Sequence, residues 1–216
     1  DLRKAYSRRD KAHPGQVRVR AAMLQDLSQY ILDIAENSLK AEASRVEIEV
    51  FEDTRGDLIT LKVSDNGYGM DDEQVSAIEN PFFTTRTERR VGLGIPFLKQ
   101  ASDTCGGRFE IRSVKGRGTV VEASFKRDCI DCPPLGDIPA TVMTLMVGWP
   151  ERDFLFRFNF DDVLFETSTE ELVQVLQDRS LLIAPEVALW ISRYIEQGIY
   201  HLRTGGNESF DENNQS

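Results

Sequence analysis

The six residues Asp65-Asn66-Gly67-Tyr68-Gly69-Met70 constrain this chain more than any other part of it. They follow a run, Asp57 to Ser64, in which Leu61 and Val63 alternate with polar residues, the period of a half-buried strand. Two glycines one residue apart let the backbone turn sharply beside a carboxylate, so the strand ends and a short helix near 72–78 begins. An equally regular run from Arg45 to Glu52, with Val46, Ile48 and Val50 on one face, precedes it. Arg55-Gly56-Asp57 joins the two as a hairpin turn.

Upstream, Leu24, Leu27, Ile31, Ile34 and Leu39 recur at mostly three- and four-residue spacing, which predicts an amphipathic helix from Ala22 to Ala41. Downstream, Glu79 to Val91 lacks periodicity and reads as a loop. Gly92-Leu93-Gly94 then opens a helix that carries Pro96 in its first turn and closes at Gly106-Gly107. Strands are expected from Arg108 to Val114 and from Thr119 to Lys126, joined through Lys115-Gly116-Arg117-Gly118. The prolines and glycine from Cys132 to Pro139 mark a boundary. Beyond it Phe154, Phe156, Phe158 and Phe160 form one greasy face of a hairpin that turns at Asp161-Asp162, and helices are expected at 170–178 and 185–202. The Phe stripe is expected to pack inward, against the main unit or its own helices. The chain thus divides into a basic lead-in (1–20), a main unit (21–127), a small α+β annex (138–203) and a polar tail (204–216) expected to be disordered.

Charge narrows the function. The formal net charge is −10, yet the first 20 residues hold seven Lys or Arg, so the body is more acidic than the whole. A nucleic-acid role is therefore not expected for it. No apolar run reaches the ~20 residues of a membrane span and no secretory pattern opens the chain, so no membrane association and a cytoplasmic location are expected. Three cysteines, Cys105, Cys129 and Cys132, argue against a disulfide framework, and one CxxC with two histidines in the whole chain argues against a zinc site.

The chemistry gathers on the first helix. Asp33 and Asn37 are four residues apart and Lys40 three further on, so an acid, an amide and an amine share one stripe. The acid could orient a water or hydroxyl, the amide oxygen could bind Mg²⁺ beside phosphate oxygens, and the ammonium could neutralise phosphate charge. Taken alone, the stripe reads better as an exposed polar face. Gly92 and Gly94 stand where N–H groups at a helix N-terminus can face phosphates with no side chain in the way.

In order, the chain carries ENS at 36–38, DNGYGM at 65–70, PFFTT at 81–85, GLG at 92–94 and GRGT at 116–119. This series, from about Gln25 to Phe125, resembles the N, G1, F and G2 boxes of the gyrase, heat-shock chaperone, histidine kinase and mismatch-repair (GHKL) superfamily. The resemblance implies its Bergerat fold: a two-layer α/β sandwich, a mixed sheet with helices on one face, and ATP lying between helices and a lid. It implies that Asp65 accepts from the adenine amino group, that Gly67 and Gly69 bring the backbone near the base with Met70 in the same box, and that Thr119 supports the carboxylate. It implies further that Phe83, with Phe82, anchors the lid and that Gly92, Leu93 and Gly94 hold the phosphates; Arg86, with Arg89 and Arg90, lies in the lid and could reach the γ-phosphate, although such a cluster is more commonly a solvated charge run. Asp33 stands where related ATPases place a Glu that activates water, one methylene shorter. Lys40 and PFFTT are most similar to histidine kinase catalytic domains.

The function these residues imply is a Mg-ATP-binding, histidine kinase-like enzyme that phosphorylates a partner protein in trans or hydrolyses ATP as a switch. No helical hairpin with a phosphoacceptor histidine precedes the unit, and neither His13 nor His201 is a good acceptor, so the acceptor is expected on another protein. The alternative is a non-catalytic module whose grip on a partner depends on bound nucleotide. Homodimerisation would follow if the Phe154 to Phe160 stripe were exposed.

Overall fold

The computed structural model describes residues 26–78 and 94–205. Helix α1 (Leu27–Lys40) starts where the Asp26 carboxylate accepts the Gln29 N–H at 2.9 Å, a side-chain N-cap. Its apolar stripe, Leu27, Tyr30, Ile31, Ile34 and Ala35, is buried. Strands β1 (Arg45–Asp53) and β2 (Leu58–Asp65) form an antiparallel hairpin in which Val50 faces Leu61 and Val46 faces Asp65. Helices α2 (Asp72–Ile78) and α3 (Gly94–Thr104) follow, then the hairpin of β3 (Phe109–Val114) and β4 (Gly118–Lys126). Helix α4 (Ile138–Gly148), the hairpin of β5 (Asp153–Phe160) and β6 (Val163–Ser168), α5 (Thr169–Leu176), a 3₁₀ turn (Arg179–Ile183) and α6 (Pro185–Thr204) complete the described residues.

All six strands lie in one mixed sheet of order β3-β4-β2-β1-β5-β6, in which only β1 and β5 run parallel. Alternation decides its two faces. Val46, Ile48, Val50, Ile59, Leu61, Val63, Val121, Ala123 and Phe125 point into the core under the helices. The other face carries charges paired across strands, Lys62 with Glu49 at 2.8 Å and Arg157 with Glu47 at 3.6 Å.

The stretch expected as an annex adds its strands to this same sheet. Phe154, Phe156 and Phe158 are buried, each beside its β1 partner, Val46, Ile48 and Val50. The two hairpin tips are tied as well, since the Thr54 N–H and hydroxyl both donate to the Asp161 carboxylate. Helix α4 was not foreseen, because its sequence is apolar on nearly every side and shows no stripe to read. It is wedged between α1 and α6.

The cysteines require a correction: Cys105 and Cys129 form a disulfide, with Cα atoms 5.5 Å apart. The end of α3 and the segment after β4 meet in space, where the Lys126 N–H donates to the Cys105 carbonyl. Spacing along the chain does not reveal that meeting. Cys132 stays a free, half-buried thiol.

Candidate nucleotide-binding site

Asp65 is the last residue of β2, and both of its carboxylate oxygens are engaged. The Gly67 N–H donates to Oδ1 at 2.8 Å, and the Ser38 hydroxyl, from the last turn of α1, donates to Oδ2 at 2.7 Å. A carboxylate has about four acceptor positions, so this one is held in place with acceptor capacity left over. Thr119 lies directly across from Asp65 in the β2–β4 register. Its hydroxyl is 2.8 Å from that of Ser113, which in turn accepts the Met70 N–H at 2.8 Å. Ser113 therefore ties the glycine-rich turn to Thr119.

The turn must run close to its neighbours. A Cβ on Gly67 would come within 2.6 Å of the Ala41 carbonyl. Gly69 has φ +63°, and a Cβ there would lie 2.1 Å from the Val114 carbonyl. Asn66, between two site residues, is structural: its side-chain oxygen accepts the Ser44 and Arg45 N–H groups, each at 2.9 Å, at the start of β1.

These residues bound a cavity of about 260 Å³. Ile34, Met70, Ile78, Ile95 and Val121 give it apolar walls; Ser38, Asp65 and Thr119 give one polar patch; Asn37, Lys40, Ala41, Tyr68 and Gly69 complete it. Lys40 is exposed and forms an ion pair with Glu36 at 3.6 Å on the same helix. Asp33, one turn before Asn37, is not on the cavity wall. It sits against the start of α3, so close that a Cβ on Gly94 would meet its Oδ2 at 2.8 Å. Burial, and then the neighbouring Glu36, push the Asp33 carboxyl above its ordinary range, while Lys40 pulls it part of the way back.

Of the residues singled out in the sequence, Asn37, Lys40, Asp65, Gly69, Met70 and Thr119 line one cavity. Gly67 braces Asp65, and Gly94 abuts Asp33. Phe83, Arg86, Gly92 and Leu93 lie outside the described residues. Ser38, Tyr68 and Ser113 join the site from outside the residues that the motifs assign a role. Ser38 had a visible signal, since it follows Asn37 on the helix that bears the acid and the amide; Ser113 had none, because only strand register brings it to Thr119.

Residues 23–128 match the family model described as histidine kinase-, DNA gyrase B- and HSP90-like ATPase. Through this stretch the chain belongs to that family. Among histidine kinase relatives, it is 30% identical over 95 residues to the sensor histidine kinase ZraS of Salmonella typhimurium, covering 44% of this chain and 20% of that protein. It is 37% identical over 89 residues to the sensor protein kinase FleS of Pseudomonas aeruginosa, covering 41% of this chain and 22% of that one. The chain thus matches about a fifth of the length of these relatives. A crystal structure of the N-terminal domain of a DNA repair protein shares the fold, with a TM-score of 0.52 at 13% identity, over 73% of this chain and 59% of that one. Residues 23–128 thus form a histidine kinase-like ATPase domain.

Proposed function

We propose that this chain binds Mg-ATP in the cavity between α1 and α3 and transfers the γ-phosphoryl group to a separate protein, or to water as a switch. The observation that carries this reading is the Asp65 carboxylate, fixed by Ser38 and Gly67 and facing Thr119 across the sheet. A fixed carboxylate beside apolar walls suits a flat base with an exocyclic amino group, which it can hold by accepting one N–H. Asn37 and Lys40 line the same cavity, as does Ile95 in the first turn of α3, a helix N-terminus that favours negative charge.

The donor set fits a hard divalent cation, since Asn37 offers the cavity an amide oxygen, a hard ligand. Bound there with the phosphates, Mg²⁺ would neutralise charge on the transferring group. The chain's own residues do the rest. Lys40 screens phosphate charge, and Asp33, with its raised pKa, orients the incoming hydroxyl, imidazole or water and accepts its proton.

The test is ATP turnover and Mg-ATP binding by the purified chain beside Asn37→Ala and Asp33→Asn. Binding lost in the first and turnover lost in the second is the expected result. The Lys40–Glu36 ion pair favours a second reading, a nucleotide-gated module without chemistry, because it holds the ammonium on a neighbouring carboxylate. Tight binding without turnover, indifferent to Asp33→Asn, would select that reading. No binding at all would remove both.

A further inference from the structure

A second cavity bounded by described residues is larger than the nucleotide site. It measures about 460 Å³ and lies where β4 and β5 end, whereas Thr119 opens β4. At ~3.3 Å per strand residue, the two cavities stand roughly 25 Å apart. Its walls come from Phe158 and Phe160 of β5, Ile199 and Tyr200 of α6, and two arginines, Arg127 and Arg203.

The arginines are organised by a buried acid. Glu52, at the end of β1, is only 1% exposed, because the alternation that buries Val46, Ile48 and Val50 buries it too. Its Oε1 accepts from Arg127 Nε at 2.9 Å and from Arg203 Nη2 at 3.3 Å. Oε2 lies 3.1 Å from Arg203 Nε as an ion pair and accepts no hydrogen bond from a described residue. Glu52 and Glu196 together balance the two arginines, so the pull on an anion comes from directed donors rather than from net charge. Among the described residues, Nη1 and Nη2 of Arg127 meet no acceptor, although Glu52 holds the guanidinium in a set orientation. Donors fixed by a buried partner and left with free N–H groups suit a ligand anion. Glu196, also on the wall, repels an anion from its side, and the aromatic and aliphatic surface accepts an apolar body.

We infer that this cavity is a second ligand site, which takes a small carboxylate or phosphate monoester carried on a flat apolar group. The arginines bind the anion, and Phe160, Ile199 and Tyr200 receive the ring. The site is separate from the nucleotide cavity and does not depend on how that cavity is read.

The experiment is a titration of the ¹⁵N-labelled full chain with phenyl phosphate, benzoate and inorganic phosphate, followed by amide shifts. Saturable shifts are expected at Arg127 and through 196–204, with inorganic phosphate about tenfold weaker than phenyl phosphate. Arg127→Lys keeps a cation for Glu52 but loses the planar fork of Nη1 and Nη2 that grips an anion with two parallel N–H groups, and Ile199→Trp fills the apolar part without touching either arginine. Each variant should weaken phenyl phosphate by about tenfold or more. An absence of shifts up to about 10 mM probe overturns the inference, as do unchanged affinities in both variants or shifts confined to residues 37–40 and 65–70.

Discussion

The Ser38 hydroxyl donates to Asp65 Oδ2 at 2.7 Å, joining the last turn of α1 to the end of β2 across 27 residues of sequence. Ser38 is nearly fully buried, so the bond is shielded from water and sets the direction in which the carboxylate faces the cavity. A hydrogen bond to a charged acceptor in such a place is among the stronger kinds. The adenine-reading role proposed for Asp65 thus depends on a residue that itself never contacts the base through its hydroxyl proton.

Ser38→Ala should therefore weaken ATP binding by about tenfold, with the fold intact. Calorimetric titration with a non-hydrolysable ATP analogue measures this. Wild-type affinity in the variant would mean that Asp65 needs no brace, or that Asp65 does not read the base.

Gly69→Ala tests the tight turn. The residue has φ +63°, and the new Cβ would lie 2.1 Å from a backbone carbonyl, that of Val114, which cannot swing away as a side chain can. A loss of roughly 3 kcal/mol in urea unfolding is expected. Gly116, also at positive φ but with nothing near its Cβ position, is the control and should lose only about 1 kcal/mol.

Asp33 makes stability depend on pH. Its carboxyl is raised by burial and by Glu36, so the folded state holds a proton that the unfolded chain has already released. Stability should then fall as pH rises from the ordinary aspartate value, near ~3.9, through the raised folded value, and the penalty is complete above that. Asp33→Asn removes the penalty, so thermal melts should show the variant more stable than wild type at neutral pH and level with it in acid. A gain that persists unchanged at low pH would point to packing rather than charge.

Cys105 and Cys129 close a loop of sequence separation 24. Removing the bond by Cys105→Ser should cost about 3 kcal/mol through the freed unfolded chain. Cys132→Ser, at the free thiol, should leave unfolding in denaturant close to wild type. Equal midpoints for all three proteins would show that the bond adds nothing to stability.

Much of the candidate site is legible in the chain itself. Asp65, Thr119, Asn37 and the glycines announce themselves because each sits in a short motif whose backbone demands are local: a strand end, a turn, a helix face. Strand boundaries in both early hairpins fall within about two residues of those expected from alternation, since period-two burial is written into neighbouring residues. Helix α4 escaped because an all-apolar segment has no face to detect.

By itself the sequence determined which residues turn inward and where the backbone must bend. The parity that buries Val46, Ile48 and Val50 also commits Glu52 to the interior, and Gly69 has no substitute beside Val114. Only the tertiary structure decided what meets those surfaces: β5 parallel to β1, Ser113 on Thr119, Cys105 on Cys129, and two arginines on Glu52. The physical reason is range. Periodicity and turn chemistry act between near neighbours, whereas the partner of a buried face is chosen by packing among segments distant in the chain, and that choice leaves no local trace.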